Sequence, residues 1–457
     1  MFKTLANAFR IKEIRNKILF TLAMLVVIRI GSILPIPGVN TDYFTNLFNT
    51  TATGDQFSFV NALTGGSLLK MSVFALSITP YITSSIIMQL LTIAIPKLEE
   101  LQKDGEDGRK KIATITRYVT IALSLIEGIA MVIGFGRQGL ISNYSSMTTF
   151  HKIFSGVMMV SILTAGSALL MWIGETITEK GVGNGISIVL VINIISSMPE
   201  DFATLFETFI KGKSVLNGTI AAVVILAVTV GIVFLTVILC AGERRIPVQY
   251  SKKIQGRKTF GGQSSHIPLK VNTAGVIPVI FAQTLMSFPL MIAAFFTVDY
   301  STVGGKILLS LSSGNWFNRN NMIYTLGVIL YIVLNIFFAY FYTSITFNPL
   351  EIANNMKKSG GFIPGIRPGK PTVDYLTKIL NYIIFVGACG LIIVQVIPYF
   401  FNGVFGANVS FGGTSLIIIV GVVLETIKKI ESQMLVRNYT GFLNNKGSKM
   451  NNSYLGY

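Results

Sequence analysis

Lysine and arginine dominate the stretch from Ala241 to Lys270, AGERRIPVQYSKKIQGRKTFGGQSSHIPLK, where seven of them accompany a single acid, Glu243, between two strongly apolar runs. Clustered cations of this kind steer and hold phosphate or carboxylate surfaces, so ribosomal RNA or an acidic protein face is the chemistry they suit. Ordering such a segment in water costs roughly 1 to 2 kcal/mol per residue in backbone entropy, which a docked partner would offset. A solvated loop whose charge only fixes membrane orientation is the other reading. Charge alone leaves both open.

Other reactive groups are sparse. His151 stands at the edge of an apolar run and His266 in the basic stretch, while Cys240 and Cys389 fall at or within apolar runs. Neither a disulfide framework nor a CxxC metal pair is on offer, and the cysteines read as packing residues. No HExxH, GxSxG or GxxxxGK[ST] occurs. The sequence therefore predicts no catalytic residues, no metal site, no cofactor and no nucleotide hydrolysis by the chain itself. None of the seven aspartates lies in an apolar core; only Glu127 and Glu425 put carboxylates there, with Glu175 at a span end. Ion-coupled transporters need buried acidic or histidine relays. That inventory is nearly empty.

The elements that must carry the basic stretch are membrane spans. With 457 residues, 51% hydrophobic, 12% charged and a mean hydropathy of +0.64, the chain is far from the roughly 25% charge of soluble domains. Apolar runs suited to about 30 Å of hydrocarbon lie near 18–34, 73–95, 115–135, 153–174, 218–240, 274–297, 323–346 and 379–400, with shorter ones near 184–198 and 414–430. Ten spans are expected. Of the 37 Lys and Arg, 29 fall on the termini and on alternate connections, the richest being 96–117, 241–270 and 347–378. By the positive-inside rule both termini are cytoplasmic. The N-terminal MFKTLANAFRIKEIRNK runs into the first span without a small-residue cleavage site, so that span is read as retained. No internal repeat is visible, although five spans on each side of the 200–217 connection permit two pseudo-symmetric halves.

The second apolar run is unusual. It reads GGSLLKMSVFALSITPYITSSIIMQLL, with Gly65, Gly66 and Lys70 before it and Pro80 in its first half, where a proline predicts a kinked helix. Lys70 is a poor neighbour for lipid, so the segment from about Asn61 to Lys70 reads as a short helical element in a water-filled vestibule. An external loop leading into a kinked span is the plainer alternative.

Together these stretches resemble the SecY family of protein-conducting channels along the whole chain. The resemblance is carried by RIGSILPIPGVN from Arg29, FALSITPYITSSIIMQLL from Phe74, DGEDGRKKIATITRY from Asp104, GETITEKGVGNGISI from Gly174, ERRIPVQYSKK with GGQSSHIPLKVNTAGVIPVIFA, FNPLEIANNMKKSGGFIPGIRPGK from Phe347, and GGTSLIIIVGVVLETIKKIESQM from Gly412. Departures are mild: Ser-Ile-Thr-Pro replaces the family's more usual Gly-Ile-Met-Pro in the second span, and the loop 302–322 is peculiar to this chain.

The resemblance implies an all-α polytopic fold of ten transmembrane helices in two five-helix halves around a central pore. Residues 1–17 would form a cytoplasmic N-terminal segment, 18–200 the first half with a plug near 61–70, and 201–217 an external connection. Residues 218–435 would form the second half, with cytoplasmic loops 241–273 and 347–378, and 436–457 a cytoplasmic tail. It implies a pore ring of Ile78, Ile82, Ile186, Leu190, Ile280 and Ile418, which makes sense as a gasket because an apolar collar excludes ions by dewetting. It implies a plug of Asn61, Leu63, Gly65, Gly66, Ser67 and Leu68, and a lateral gate bordered by Thr83, Glu127, Gln283 and Ser287. Docking of a SecA motor ATPase or a ribosome is expected at Arg244, Arg245, Lys252, Lys253, Arg257, Lys258, Lys357, Lys358 and Arg367, the last in a stiff turn between Pro364 and Pro368. Small SecE and SecG subunits, signal peptides, nascent polypeptides and membrane lipid complete the expected partners, with no small-molecule substrate. The implied function is passage of unfolded secretory polypeptides across a bacterial plasma membrane and sideways release of apolar segments into lipid. A secondary transporter with broken helices is the competing class, but it calls for a polar midplane site where this chain is aliphatic. A poreless scaffold or insertase would leave plug and collar unexplained.

Overall fold

Where no water reaches the backbone, N–H and C=O groups must pair within their own segment, so apolar runs of this length become helices. The computed structural model describes residues 8–41, 61, 63–141, 147–211, 215–250, 253–255, 258–260, 264–293, 302–317, 322–405 and 413–451. All ten expected apolar runs lie on helices: α1 (Lys12–Ile33), α2 (Thr79–Ala94), α4 (Gly105–Phe135), α5 (Thr149–Lys180), α6 (Gly185–Phe209), α7 (Val215–Ala241), α8 (Ile277–Ala293), α10 (Thr325–Thr346), α12 (Lys370–Phe405) and α13 (Gly413–Asn451). Shorter helices are α3 (Pro96–Lys103), α9 (Val303–Ser310) and α11 (Pro349–Lys358).

Seven helical stretches among the described residues are long and apolar enough to cross a membrane alone, and α2 with α3 makes an eighth as a pair bent by 102°. α8 falls short, with an apolar helical core at Ile277–Leu290. The apolar start of α13 soon meets Glu425, Lys428 and Lys429. α7 shows the membrane character most plainly: over its most apolar 18 residues the mean hydropathy is 3.1 and only 11% of that stretch is buried within the protein. An all-round apolar helix left this bare belongs in lipid.

The expected kink at Pro80 is not there. Residues 65–78 run as successive turns apart from a bridge at Ser72, and α2 begins only at Thr79, with Pro80 in its opening positions. A helix start needs no N–H from that residue, and proline's fixed φ suits it. Pro80 therefore begins a helix rather than bending one, and Pro96 does the same for α3. The expected plug helix is likewise mostly a chain of turns, with helical backbone only at Asn61, Leu63 and Thr64 among the described residues.

The chain forms two compact units, one joining Met1–Pro199 to Val422–Tyr457 and the other comprising Glu200–Gly421. α13 is divided between them. In the first unit its C-terminal part closes an apolar cluster of Ala8, Ile14, Val182 and Ile430, and Lys429 Nζ donates to the Gly183 carbonyl at 3.0 Å.

In the second unit the basic stretch is not a bare loop. Strands β1 (Glu243–Tyr250) and β4 (Ser264–Lys270) pair antiparallel, and β5 (Gly361–Phe362) joins the other edge of β1. A two-stranded ribbon of β2 (Lys253–Gln255) and β3 (Lys258–Phe260) lies in the sequence between β1 and β4. The helical fold thus carries a small sheet that its apolar pattern did not announce. Elsewhere in the unit the segment 302–317 folds as a cap: Thr302 accepts from the Gly305 N–H at the start of α9, and fully buried Trp316 donates its indole N–H to the Ser310 carbonyl at 2.8 Å. Its ring centroid lies 4.9 Å from those of both Tyr331 and Tyr399.

Candidate functional site

Four of the six expected ring residues belong to the first unit. Ile78 caps the N-terminus of α2 and is buried, and its carbonyl accepts from the Ile82 N–H, so the two residues stack one turn apart. Ile186 is half-buried and Leu190 buried on α6, also one turn apart and on one face. Continuing along that face, the next inward position is Asn193, which is only 2% exposed.

Asn193 meets the expected plug segment. Its Nδ2 donates to the Leu63 carbonyl at 3.2 Å and to Ser77 Oγ at 3.0 Å. Ser77 Oγ in turn reaches the Leu63 carbonyl at 3.4 Å. Gly65 lies so close to α6 that a β-carbon on it would stand 2.8 Å from the Asn193 carbonyl oxygen and 2.7 Å from Ser196 Oγ, and its φ of +64° also favours glycine. Leu63, Gly65, Ser67 and Leu68 are buried, Asn61 and Gly66 are partly exposed, and Lys70 is exposed, as an aqueous vestibule requires. On leaving the plug the chain pairs with the end of the first span, where the Ile36 N–H donates to the Met71 carbonyl and the Val73 N–H to the Leu34 carbonyl, both at 2.9 Å.

The remaining ring residues, Ile280 on α8 and Ile418 on α13, lie in the second unit, and both are buried. The expected gate residues divide in the same way. Thr83 on α2 and Glu127 on α4 are half-buried on packed neighbouring helices of the first unit. Gln283 is buried and Ser287 half-buried on α8 in the second.

The expected docking residues that are described lie on the sheet strands, α11 and the turn at Arg367 in the second unit. Register pairs Arg244 with Leu269 and Arg245 with Pro268. Both arginines are exposed, while Ile246 and Val248 point inward to pack with Leu269, Met356, Ile363 and Leu376. Arg245 is tied to Glu243 at 2.6 Å. On α11, Asn348 Oδ1 caps the start by accepting from the Leu350 and Glu351 N–H groups. Exposed Lys357 and Lys358 occupy the last turn, where cations suit the helix dipole. Arg367 is exposed in a turn held by the Ile366 N–H on the Ile363 carbonyl and by Thr372 Oγ1 on the Arg367 carbonyl at 2.9 Å. Lys253 and Lys258 belong to β2 and β3, whereas Lys252 and Arg257 lie outside the described residues. Among the described residues no group of His, Cys, Asp and Glu could hold a metal ion.

Asn193, Ser196 and Arg29 were not among the expected site residues. The sequence carried a signal for two of them, an amide on the expected ring face of an apolar helix for Asn193 and a cation inside a span for Arg29, where ionisable groups mark function; Ser196 carried none.

The family model for SecY matches residues 72–427. The protein translocase subunit SecY of Streptomyces coelicolor is 44% identical over 452 residues, covering 97% of this chain and all of that protein. Two solved structures share the fold at lower identity. One, a SecY protein whose plug domain stabilises the closed state of its translocation channel and maintains a membrane seal, has a TM-score of 0.59 and 18% identity over 92% of each chain. The other, Sec61 in the canine ribosome-channel complex from the endoplasmic reticulum, has a TM-score of 0.57 and 16% identity over 92% of this chain and 93% of that one. A multi-pass helical chain matched at this length and identity belongs to the SecY family of protein translocase subunits, and is by that membership a channel subunit rather than an enzyme.

Proposed function

We propose that this protein passes unfolded secretory polypeptides across the plasma membrane of a bacterium and releases apolar segments sideways into lipid. The observation that carries the reading is the placement of the 61–71 segment. It folds back against α6 directly beyond Leu190, beside the first unit's share of the proposed ring, Ile78, Ile82, Ile186 and Leu190; Ile280 and Ile418 of the second unit would complete that ring. Branched aliphatic side chains suit the ring because they dewet a narrow pore and offer a passing peptide no polar partner. Thr83 and Glu127 would border one side of a lateral gate, Gln283 and Ser287 the other.

On this reading both termini face the cytoplasm, and the surface bearing Arg244, Arg245, Lys357, Lys358 and Arg367 receives a SecA-type motor or a ribosome. Ribosome docking is supported by the canine relative and by the suitability of exposed arginines for phosphate. The chain has no nucleotide-binding loop, so energy comes from such partners or from the membrane potential. SecE and SecG subunits would complete the complex.

The test is ion conductance of the purified complex. Ile82→Asn or Ile280→Asn should raise resting conductance and admit precursors with defective signal sequences, because a polar side chain lets water bridge the constriction. Unchanged conductance when all six ring positions are glycine would overturn the ring.

A further inference from the structure

We infer that Asn193 is the hub of a polar latch that holds the plug shut and ties it to the pore ring, with Arg29 and Ser196 as its second pin. The inference rests on the plug reading above and assigns that plug its keeper.

Asn193 Nδ2 is shared between the Leu63 carbonyl, on the plug, and Ser77 Oγ, the residue immediately before Ile78. Ser77 is a non-glycine residue held in the left-handed region at φ +53°, a conformation that persists only when neighbours over-determine it. Its hydroxyl contacts Asn193 and the plug carbonyl together. Withdrawing the plug therefore removes a partner from Asn193 and from Ser77 at once, and Ser77 is joined covalently to a ring residue.

The second pin lies one turn further along α6. Ser196 Oγ reaches the Gly65 carbonyl at 3.4 Å and the Asn193 carbonyl at 2.6 Å, and it accepts from Arg29 Nη1 at 2.8 Å. With the Arg29 N–H on its oxygen, the hydroxyl proton of Ser196 is left to point at those two carbonyls. A guanidinium cannot be deprotonated in a protein, so Arg29 always offers Ser196 a donor and never an acceptor. Arg29 touches no plug atom through these bonds and acts through Ser196, as a positioning residue.

Hydrogen bonds are the right fastening for a part that must leave. Each contributes modestly because water replaces it when the vestibule opens, whereas an apolar seal of equal tightness would require a large dry surface to be torn away. The close approach of Gly65 to α6 sets the register in which both pins engage.

The reporter is Ser67→Cys in a chain whose Cys240 and Cys389 are replaced by alanine, assembled with its partner subunits in membrane vesicles. Ser67 is 1% exposed and its hydroxyl has no partner among the described residues, so a thiol there loses no bond. A membrane-impermeant maleimide from the external side reads how often the plug swings out. Asn193→Ala and, independently, Ser196→Ala should each speed modification, by about fivefold for the loss of one hydrogen bond. Arg29→Met should do the same and Arg29→Lys should restore the parent rate, a rescue that a purely packing role would not show. Deleting residues 63–68 should raise resting conductance, and Asn193→Ala should add nothing to it in that background. If Asn193→Ala and Ser196→Ala both leave Ser67→Cys modification at the parent rate while the deletion still leaks, the latch is wrong and the plug stands. If the deletion does not leak, the plug reading itself fails. Should Asn193→Ala not assemble, Ser196→Ala alone decides.

Discussion

Tyr250 and Gly361 face each other across the antiparallel pair of β1 and β5, and the tyrosine ring stands 2.9 Å from where a β-carbon on residue 361 would be. This pairing makes one platform of two basic connections separated by the whole of α8 to α10 in sequence. Behind the platform, Ile246 and Val248 from the first connection bury against Met356, Ile363, Leu376 and Ile379 from the second and the helix that follows. Arg244 and Arg367 are therefore carried on one packed body, and a partner that grips either meets both.

Gly361→Val should separate them. Two methyl groups cannot share the space with the Tyr250 ring and Met356 Cγ, also 2.9 Å away, so β5 must shift, at about 1 to 3 kcal/mol. The expected result is weaker binding of motor or ribosome to a complex whose spans assemble normally. Gly361→Ala, whose single methyl meets movable side chains, should retain most of the binding. Equal binding by parent and valine variant, measured by sedimentation with the purified complex, argues that the two connections dock independently.

Arg367→Glu tests the surface itself. The side chain is exposed and the turn is held by the backbone carbonyl of residue 367, which accepts from Thr372. Stability should change by no more than about 0.5 kcal/mol. Motor-driven secretion of a precursor should fall at least tenfold, since the substitution reverses charge at a point with little freedom to adapt. Loss of the assembled complex instead would make Arg367 a structural residue.

The ten spans were legible because a membrane imposes one solution on any long apolar run. What escaped was decided by contacts distant in sequence. Pro80 read as a kink because the start of α2 depends on residues 65–78 being held in turns by the first span and by α6, and no local pattern records that. The sheet stayed hidden because β5 is two residues long and lies more than a hundred positions beyond its partner. Asn193 was within reach: it follows Leu190 by three and Ile186 by seven, so an amide on the proposed ring face was already on the page.

Trp316→Ala should unfasten the external cap. The substitution opens a cavity against Tyr331 and Tyr399 and strips the Ser310 carbonyl of its indole donor, together worth about 3 to 5 kcal/mol. Limited proteolysis from the outside should then cut within 302–317, and thermal stability of the purified complex should drop. Motor binding at the proposed docking surface should be unaffected, because none of the described residues proposed for docking belongs to this cluster. A protease-resistant segment with unchanged melting would mean that the cap is held by something other than the tryptophan.

The last expectation concerns the proposed gate, which α2 and α8 would border from the two units. Cysteines introduced on these helices at a pair whose Cα atoms come within the roughly 4.4 to 6.8 Å that a disulfide requires should lock transport, and reduction should release it. The plug deletion has the opposite sign, since it loosens closure while leaving every docking residue in place. One mechanism thus demands two contrary outcomes from two lesions that share no atoms. Motor and precursor must still bind the cross-linked complex, so a binding assay has to run beside protease protection of the translocated precursor. A locked seam that still passes full-length precursor would show that a chain crosses without parting these helices. It would also confine Thr83 and Ser287 to ordinary packing, because a polar seam has a purpose only if it opens.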